Sequence, residues 1–465
     1  WDKIAGFSNK KLKINVTPDS LAYIIYTSGS TGNPKGVMVG NDNLSSVLIA
    51  EQSLYNLNES FSSIQITNYC FDVSILEIFL PLFLGGKIVV PDPDEIHNHQ
   101  YLVELINTNK VSDLQTTPSY FLSFLNQLEN TSALKLNATL KRICIGGESL
   151  TESIVETCVK ILPNVELNNH YGPTEITVDA LVLPNVKTFN KNSIGYALSN
   201  AAVAIVDSDL NDLPNGAVGQ IAILGNGVTK GYLNDPEKTN AVFVKHKTKH
   251  VPMYLTGDLG RILPDKSVEL IGREDDQIKI RGYRVELGEV KNALLKLAFV
   301  NDAYVLYLPE NKQLIAYLLT DLVKADNELK ELLSSKLPHY MIPHRFITMD
   351  KFPLTVNGKV DKKQLPKPEI RTDEILKPTT QTEKELYSIW QRVLKLGSLS
   401  ITDNFFELGG HSLHIMELIS SVYKQLSKTL RVSDIYTYPT IGTLSDYINS
   451  LDDEVYQKIS ELPKQ

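Results

Sequence analysis

The first stretch whose residue types could bind an anion is a loop rich in glycine, serine and threonine. It reads YTSGSTGNPKG (26–36) and follows the apolar, strand-like run LAYIIY (21–26). Its glycines allow tight turns that direct backbone N–H groups at phosphate oxygens, and Lys35 adds a positive charge. The loop is not a Walker A motif, because Gly32 is not followed directly by Lys and Ser or Thr. The competing interpretation of the loop, taken alone, is a solvated turn between two strands.

Further stretches carry chemistry-bearing residues downstream of this loop. They are FDVSILEIF (71–79), NHYGPTE (169–175), YLTGDLGR (254–261), GREDDQIKIRGYRVELGEV (272–290), LTVNGKVDKKQLP (354–366) and DNFFELGGHSL (403–413). With the loop, the first five resemble, in the same order, the motifs of the adenylate-forming superfamily. That superfamily includes acyl-CoA synthetases, luciferases and the adenylation domains of nonribosomal peptide synthetases. The last stretch resembles a peptidyl carrier domain, so the resemblance covers nearly the whole chain.

The resemblance implies an α/β adenylate-forming fold followed by an all-α, four-helix-type carrier bundle. The adenylate-forming part would have a large lobe of doubly wound sheets with a β subdomain, and a small α/β C-terminal lobe. Strand-like runs alternating with helical ones also favour parallel sheets. The expected domains are a large lobe lacking its N-terminal part (1–274), a small lobe (275–368), a linker (369–380), the carrier (381–452) and a tail (453–465). Because only 25 residues precede Tyr26, we expect a piece of a larger protein, cut inside its first domain.

Composition narrows the classes of partner. The 465 residues carry a net charge of −8, which argues against a nucleic acid held by phosphate neutralisation. The three cysteines, Cys70, Cys144 and Cys158, lack metal or redox spacing and indicate a reducing, cytoplasmic compartment. The longest apolar segment (78–90) is too short and too interrupted to span a bilayer, so no membrane partner is expected.

The resemblance implies that a substrate carboxylate attacks the α-phosphate of ATP and releases pyrophosphate. Two anions must meet, so cations and backbone dipoles have to lower their repulsion. The implied catalytic residues are Thr27, Lys35, Glu175 and Lys359. Glu175 would bind Mg²⁺, and Lys359 would contact the substrate carboxylate and an α-phosphate oxygen. The implied nucleotide-binding residues are Thr27, Ser28, Gly29, Ser30, Thr31, Gly32, Lys35, Gly147, Asn169, Tyr171, Gly172, Thr174, Asp258 and Arg273.

Within that set, the resemblance implies separate roles. Tyr171 would stack on adenine, while Asn169 would hydrogen-bond to its edge. Asp258 would accept the ribose hydroxyls with support from Arg273, and Thr174 would touch the α-phosphate. Alone, each residue has an ordinary structural interpretation, such as a core tyrosine or a turn aspartate, but their joint order favours function.

The resemblance implies roles for two more residues, one as the hinge of the adenylation domain and one as the attachment site of the carrier. Asp275 aligns with the family's hinge, although a run of acids also fits a charged surface loop. Ser412 follows Gly409, Gly410 and His411 and aligns with the serine to which carriers attach 4′-phosphopantetheine. A helix N-terminus stabilises a phosphodiester there, and the competing interpretation is an ordinary N-cap serine.

The substrate pocket is predicted from the same alignment. Its residues would be Asp72, Val73, Leu76, Gln115, Ile143, Ile145, His170, Val178, Asp179 and Lys359. Asp72 would bind the α-ammonium of an amino acid. Ile145 is bulky and should shorten the pocket, which favours a small side chain such as serine or alanine. The alternative is a basic side chain (ornithine, arginine or lysine) paired with Asp179, unless His170 satisfies that carboxylate instead.

Three functions are therefore compared. The favoured one is an amino-acid-activating module that loads its own carrier, with ATP, Mg²⁺ and 4′-phosphopantetheine as cofactors. Its partners would be a phosphopantetheinyl transferase, an upstream condensation domain and a downstream acceptor or release domain. A carrier-fused acyl- or aryl-acid ligase would not need Asp72. A degenerate scaffold would not need Lys35, Glu175, Asp258, Lys359 and Ser412 together.

Overall fold

The computed structural model divides into two compact units. The described residues are 5–7, 14–29, 34–96, 98–128, 130–190, 193–273, 277–280, 282–309, 313–353, 360–366, 376–394, 396–397, 399–406, 408, 410, 412–426 and 428–451. The first unit consists mainly of residues up to 273, and the second mainly of residues from 277.

The first unit contains fourteen strands and seven helices among its described residues. The strands are β1 (Leu21–Thr27), β2 (Lys35–Gly40), β3 (Ser62–Ile64), β4 (Lys87–Val89), β5 (Asp113–Thr116), β6 (Arg142–Gly146), β7 (Glu166–Tyr171), β8 (Leu181–Leu183), β9 (Ser193–Ala197), β10 (Ala201–Val206), β11 (Gly219–Gly225), β12 (Phe243–Lys245), β13 (Pro252–Ile262) and β14 (Val268–Arg273). The helices are α1 (Asn41–Tyr55), α2 (Val73–Leu84), α3 (His99–Asn109), α4 (Pro118–Gln127), α5 (Asn130–Thr139), α6 (Glu152–Ile161) and α7 (Pro236–Val242).

Twelve of these strands form one sheet in the order β10-β11-β13-β14-β9-β8-β7-β6-β5-β3-β4, with β12 paired to β13. Strands β3 to β7 pair in parallel, whereas β7 to β11, β13 and β14 pair antiparallel. Strands β1 and β2 form a separate antiparallel pair, which brackets the predicted phosphate loop. The parallel half and the antiparallel half therefore meet at β7, the strand that runs into the GPTE sequence.

The two faces of the parallel strands differ in polarity. The paired residues Leu114 and Ile143, and then Leu167, point to one face, where they join an apolar core with residues of α3, α4 and α6. Since alternate residues of a strand point to opposite faces, Cys144 and His170 point the other way. Residues of α1 contact that second face through side chains described below. Helices on both faces are the arrangement expected of a doubly wound sheet.

The second unit begins with a small α/β region. Its strands are β15 (Gln277–Ile280), β16 (Tyr283–Glu286), β17 (Val300–Leu308), β18 (Gln313–Thr320) and β19 (Arg345–Met349), and its helices are α8 (Leu287–Leu295) and α9 (Asp326–Ser334). Strands β17, β18 and β19 form a mixed three-stranded sheet, which packs on both helices through one apolar core.

A helical region completes the second unit. It contains α10 (Gln381–Leu394), α11 (Ser412–Leu426), α12 (Val432–Thr437) and α13 (Ile441–Ser450). Trp390 and Phe405 are fully buried in its core, with ring centroids 4.9 Å apart. None of the helices in the described parts of the chain combines the length and apolar composition that crossing a membrane would need.

Candidate active site

A buried ion pair links the strand after the phosphate loop to the GPTE turn. Lys35, the first residue of β2, places Nζ 3.1 Å from Oε1 of Glu175, whose side chain is fully buried. The hydroxyl of Tyr232 accepts from Lys35 Nζ at 3.0 Å and donates to Glu175 Oε1 at 2.8 Å. The lysine ammonium also lies 4.6 Å from the Tyr232 ring centroid, at the distance of a cation–π contact. Two predicted catalytic residues therefore meet, and Tyr232 is a partner that the sequence did not indicate.

A second polar group lies where β7 ends. The Tyr171 hydroxyl donates to Asp258 Oδ2, and Arg273 Nη1 donates to Asp258 Oδ1 at 2.6 Å. The Thr256 hydroxyl accepts from the Asp258 backbone N–H at 3.0 Å and helps to hold this part of β13 in place. Burial first, and then the Asp258 carboxylate, raise the pKa of Tyr171 well above its ordinary value, so the phenol stays protonated and remains a donor. Three predicted nucleotide residues are thus in direct contact.

The turn between these groups adopts an unusual backbone. Thr177 and Val178 have φ angles of 64° and 68°, in the left-handed region that β-branched residues seldom adopt. The Thr177 hydroxyl donates to the Gly227 carbonyl at 2.8 Å and so helps to hold this conformation. A Cβ atom on Gly172 would lie 2.0 Å from the Val178 carbonyl oxygen, so only glycine fits there. Such strain costs about 1–3 kcal/mol per residue and clusters at functional sites.

The strained turn brings Asp179 back against β7. Nδ1 of His170 lies 2.8 Å from Asp179 Oδ2, and because a carboxylate only accepts, Nδ1 carries the proton. Nε2 of His170 is hydrogen-bonded to the Tyr55 hydroxyl at 2.9 Å. Burial lowers the pKa of His170, but the Cys144 sulfur and the Asp179 carboxylate raise it well above its ordinary value. The imidazole therefore satisfies Asp179 within the protein.

Glu51 of α1 completes this cluster. Its Oε1 lies 3.9 Å from His170 Nδ1, too far for a hydrogen bond, and has no hydrogen-bond partner among the described residues. Its side chain is almost completely buried. Burial raises the pKa of Glu51 to about 7, although His170 opposes that shift.

A further buried pair lies beside the cluster. Arg142 contacts Asp113 through two hydrogen bonds, Nε to Oδ1 at 2.6 Å and Nη2 to Oδ2 at 3.0 Å. The Arg142 guanidinium also lies 5.0 Å from the Tyr55 ring centroid. These two charges balance each other on the polar face of the sheet.

The strand register separates two predicted pocket residues from this cluster. Ile143 and Ile145 are fully buried in the apolar core on the opposite face of the sheet. Cys144 lies between them and points to the polar face, where it helps to raise the pKa of His170. Gln115 pairs with Cys144 in the register and so points to the polar face. The structure therefore does not support Ile143 and Ile145 as pocket residues, and the pocket is not shortened by Ile145.

The apolar pocket residues do come together. Leu76 and Val178 are buried in one cluster, against which Val73 and Tyr55 pack. Asp72 immediately precedes α2 and is half-buried. Burial, and then the Asp72 charge, raise the pKa of Tyr23, so these two side chains are close. An apolar surface thus continues, through Tyr55, into the polar cluster of Glu51, His170 and Asp179.

For the other predicted nucleotide residues, the structure gives the position and burial of those it describes. Thr27, at the end of β1, is half-buried, and Ser28 is buried. Asn169 is buried on β7, and Gly147 follows β6 with φ +83°. Gly29 is buried, and Thr174 begins a single 3₁₀ turn. Ser30, Thr31, Gly32, Asp275 and Lys359 lie outside the described residues.

In the helical region, Ser412 is the first residue of the fifteen-residue helix α11. The Gly410 N–H donates to the Phe405 carbonyl at 2.8 Å, and the Phe405 N–H donates to the Pro439 carbonyl at 2.7 Å. The segment before Ser412 is thereby tied to the helical core. A helix N-terminus with free N–H groups suits the phosphodiester of a phosphopantetheine arm, so the placement fits that group.

The donor chemistry near Lys35 also fits the metal expected with ATP. Mg²⁺ prefers hard oxygen ligands and is commonly held by one or two carboxylates together with substrate phosphates. Glu175 supplies such a carboxylate, and Lys35 beside it supplies a cation for phosphate oxygens.

Family models match three parts of the chain. The model described as AMP-binding enzyme matches residues 2–233, and that for the AMP-binding enzyme C-terminal domain matches residues 289–359. The model described as phosphopantetheine attachment site matches residues 384–448.

Curated relatives agree with these matches. The chain is 36% identical to Bacitracin synthase 3 of Bacillus licheniformis, over 95% of this chain and 7% of that protein. It is 36% identical to Tyrocidine synthase 3 of Brevibacillus parabrevis, over 99% of this chain and 7% of that protein. It is also 36% identical to Gramicidin S synthase 2 of Brevibacillus brevis, over 94% of this chain and 10% of that protein. The chain therefore spans only a small part of the length of these relatives.

Solved structures confirm the fold. Holo-PA1221, an NRPS protein containing adenylation and PCP domains, superposes with a TM-score of 0.78 at 24% identity, covering 96% of this chain and 76% of that one. A second structure of PA1221 gives a TM-score of 0.64 at 26% identity, covering 76% of this chain and 70% of that one. The predicted α/β adenylate-forming fold with a helical carrier is confirmed. The chain belongs to the AMP-binding, adenylate-forming enzyme family, in the nonribosomal peptide synthetase group whose adenylation domain is followed by a phosphopantetheine-bearing carrier.

Proposed function

We propose that this chain activates an α-amino acid with ATP and loads it onto its own carrier. The observation that carries the proposal is the arrangement around β7. His170 faces the polar cluster, while the next residue, Tyr171, contacts Asp258 on the other side. Side chains of successive strand residues point to opposite faces, so β7 separates an amino-acid side from a nucleotide side. The two sides meet at the GPTE turn, which carries Glu175.

In the first step, a carboxylate oxygen of the amino acid attacks the α-phosphorus of ATP. A bond forms between that oxygen and phosphorus, the bond to the β-phosphate breaks, and pyrophosphate leaves. Lys35, and Lys359 by analogy with the family, would neutralise phosphate charge, while Glu175 would hold Mg²⁺. Asp258 and Arg273 would fix the ribose and Tyr171 the adenine. Thr27, Ser28, Gly29, Ser30, Thr31, Gly32, Gly147, Asn169, Gly172 and Thr174 remain the proposed contacts to the rest of the nucleotide.

In the second step, the aminoacyl group passes to the carrier. The phosphopantetheine arm would supply a thiol as acceptor: a thioester bond would form to the aminoacyl carbonyl carbon, the acyl–phosphate bond would break, and AMP would leave. Ser412 is the proposed attachment point, because it opens α11. Asp275 is the proposed hinge between the two steps. A phosphopantetheinyl transferase and neighbouring condensation, acceptor or release domains are the proposed partners, and the cytoplasm remains the proposed compartment.

Substrate class is the finer part of the proposal. Asp72 supports an amino acid over a simple acyl or aryl acid, because it offers a carboxylate to an α-ammonium. The expectation of a small serine- or alanine-like side chain depended on Ile145, which lies in the core. The alternative of a basic side chain depended on an unsatisfied Asp179, which His170 satisfies. Neither Ile145 nor Asp179 therefore distinguishes a small substrate side chain from a basic one.

The test is ATP–pyrophosphate exchange by the full-length parent protein. A pool of amino acids should support exchange, and Lys35→Ala and Glu175→Gln should each abolish it. Exchange with fatty or aryl acids and not with amino acids would establish the acid-ligase alternative. No exchange with any acid would support a non-catalytic scaffold and overturn the proposal.

A further inference from the structure

Among the described residues, the buried face above β5, β6 and β7 carries five ionisable side chains, and four of them form two pairs. Arg142 is paired with Asp113 by two hydrogen bonds. His170 is paired with Asp179 at 2.8 Å. Glu51 is the fifth group, and its Oε1 has no hydrogen-bond partner in the described parts of the chain. An ionised carboxylate buried without a partner is costly, so the site is incomplete as it stands.

The groups around Glu51 cannot complete it. Asp113 and Asp179 are acids, and Arg142 is already held by Asp113. His170 Nδ1 lies 3.9 Å from Glu51 Oε1, within ion-pair range, but its proton is donated to Asp179 at 2.8 Å, and Nε2 is hydrogen-bonded to Tyr55. Burial raises the pKa of Glu51 to about 7, so the carboxyl is partly ionised at neutral pH and would gain from a cation.

The surroundings also show what shape of ligand would reach Glu51. Leu76 and Val178 form an apolar surface that includes Tyr55, and Tyr55 itself is hydrogen-bonded within the polar cluster. The side chains along this surface therefore change from aliphatic groups to a carboxylate. A side chain with a methylene stem and a charged end has the matching order of polarity.

We infer that Glu51 is a specificity-determining residue, which binds the cationic end of the substrate side chain in an amino acid of the ornithine, lysine or arginine type. The inference rests on the proposed function and assigns its substrate class. It also differs from the earlier basic alternative, because Glu51, and not Asp179, supplies the counter-charge. His170 and Asp179 then form an ion pair of no net charge that orients the wall of the pocket.

The test measures ATP–pyrophosphate exchange of the full-length parent with single amino acids. The cationic panel is ornithine, lysine and arginine, and the neutral panel is glutamine, leucine, serine and alanine. The wild-type protein should favour one cationic amino acid over every neutral one by at least about tenfold in kcat/KM. Removing one partner of a buried charge pair should lower that kcat/KM by roughly 30-fold or more in Glu51→Gln, with little effect on neutral amino acids.

A matched control is Glu77→Gln. Glu77 is an equally buried glutamate on α2, but both of its oxygens accept hydrogen bonds from Thr67, at 3.0 and 2.8 Å. Its substitution should leave the ranking of amino acids unchanged. The order in which the wild-type protein prefers the amino acids does not depend on whether any variant folds. Glu51→Asp keeps the negative charge and should retain the preference for cationic amino acids.

The outcomes distinguish a failure of the role assigned to Glu51 from a failure of the proposed adenylation function. Exchange that prefers neutral amino acids would overturn the role of Glu51 and leave the adenylation function standing. An equal loss for cationic and neutral amino acids in Glu51→Gln would also overturn it, because the residue would then be structural. Exchange with no amino acid at all would overturn the proposed function and the role of Glu51 together.

Discussion

Lys35 and Glu175 form a buried ion pair, with Nζ and Oε1 3.1 Å apart. The lysine starts the strand after the phosphate loop, and the glutamate lies in the strained turn after β7. The Tyr232 hydroxyl bridges them with one hydrogen bond to each. Tyr232 thus holds together Lys35, which is expected to bind phosphate, and Glu175, which is expected to bind Mg²⁺.

Tyr232→Phe should therefore impair adenylation without unfolding the protein. The change removes one hydroxyl and keeps the ring on which Lys35 lies. Hydrogen bonds to charged groups contribute about 1.5–3 kcal/mol, so kcat/KM in pyrophosphate exchange should fall at least about tenfold. Half-maximal exchange should also require more Mg²⁺. Tyr196→Phe is the control, because that hydroxyl is on an exposed tyrosine and makes only a 3.5 Å contact with Asp265; equal activity of the two variants would exclude the bridging role.

Asp258→Asn should weaken nucleotide binding. Asp258 accepts hydrogen bonds from both Tyr171 and Arg273, and an amide cannot match the guanidinium charge. Isothermal titration with a non-hydrolysable ATP analogue should show affinity reduced by roughly tenfold or more. Asp265→Asn, at a surface turn, should bind the analogue like the wild type. Unchanged affinity in Asp258→Asn would remove this residue from the nucleotide site.

Arg142→Met should destabilise the first unit strongly. It would leave Asp113 buried without its bidentate partner, and breaking a buried pair in this way costs about 3–5 kcal/mol. The same substitution at Arg261, which is 42% exposed and paired with Glu269 at 2.5 Å, should cost less than about 1 kcal/mol. Urea unfolding should be followed by circular dichroism. Fluorescence of Trp390 would report on the helical region and not on the first unit, where Arg142 lies. Similar losses in both variants would contradict the assignment of a buried pair.

The pH dependence of stability should reveal Glu51. Its pKa is raised from 4.5 to about 7 by burial, so the folded state binds more protons than the unfolded state between those values. The stabilising contribution is complete below about pH 4.5 and is lost as pH rises through about 7. Glu51→Gln cannot ionise, so its melting temperature should fall by several degrees less than that of the wild type between pH 5 and pH 8. An identical fall would show that Glu51 ionises freely in the folded protein.

Many of the helices could be predicted from the local pattern of apolar residues. Apolar residues recur at helical spacing between Ser412 and Leu426, which predicts a helix there, and the structure has α11 with the same bounds. The pattern of residues 289–299 likewise predicts a helix, which the structure has at Leu287–Leu295, since helix ends depend on contacts that sequence does not show. Helix α5 was missed because its sequence, NTSALKLNAT, has little amphipathic pattern.

The site was less predictable, because its contacts join distant segments. The register of β6 could not be read from Arg-Ile-Cys-Ile-Gly, since a strand buried on both faces shows no polar alternation. Ungapped spacing therefore places Ile143 and Ile145 in the pocket, whereas the structure has both in the apolar core, on the face opposite to Cys144. Tyr232, Glu51 and Tyr55 belong to no recognised motif, and only the folded chain brings them to Glu175 and His170. The available signal for Glu51 was an acid three and four residues after the apolar Leu48 and Val47, on the buried side of α1.

The most direct test of the central claim is the mass of the carrier peptide that contains Ser412. The full-length parent would be converted to its pantetheinylated form and given ATP, Mg²⁺ and a pool of amino acids, with Ser412→Ala as control. The account predicts a pantetheine on Ser412 and a further gain equal to one amino acid residue, both absent from Ser412→Ala. Pantetheine without an amino acid would contradict the proposed activation, and an unmodified Ser412 would contradict the carrier assignment itself.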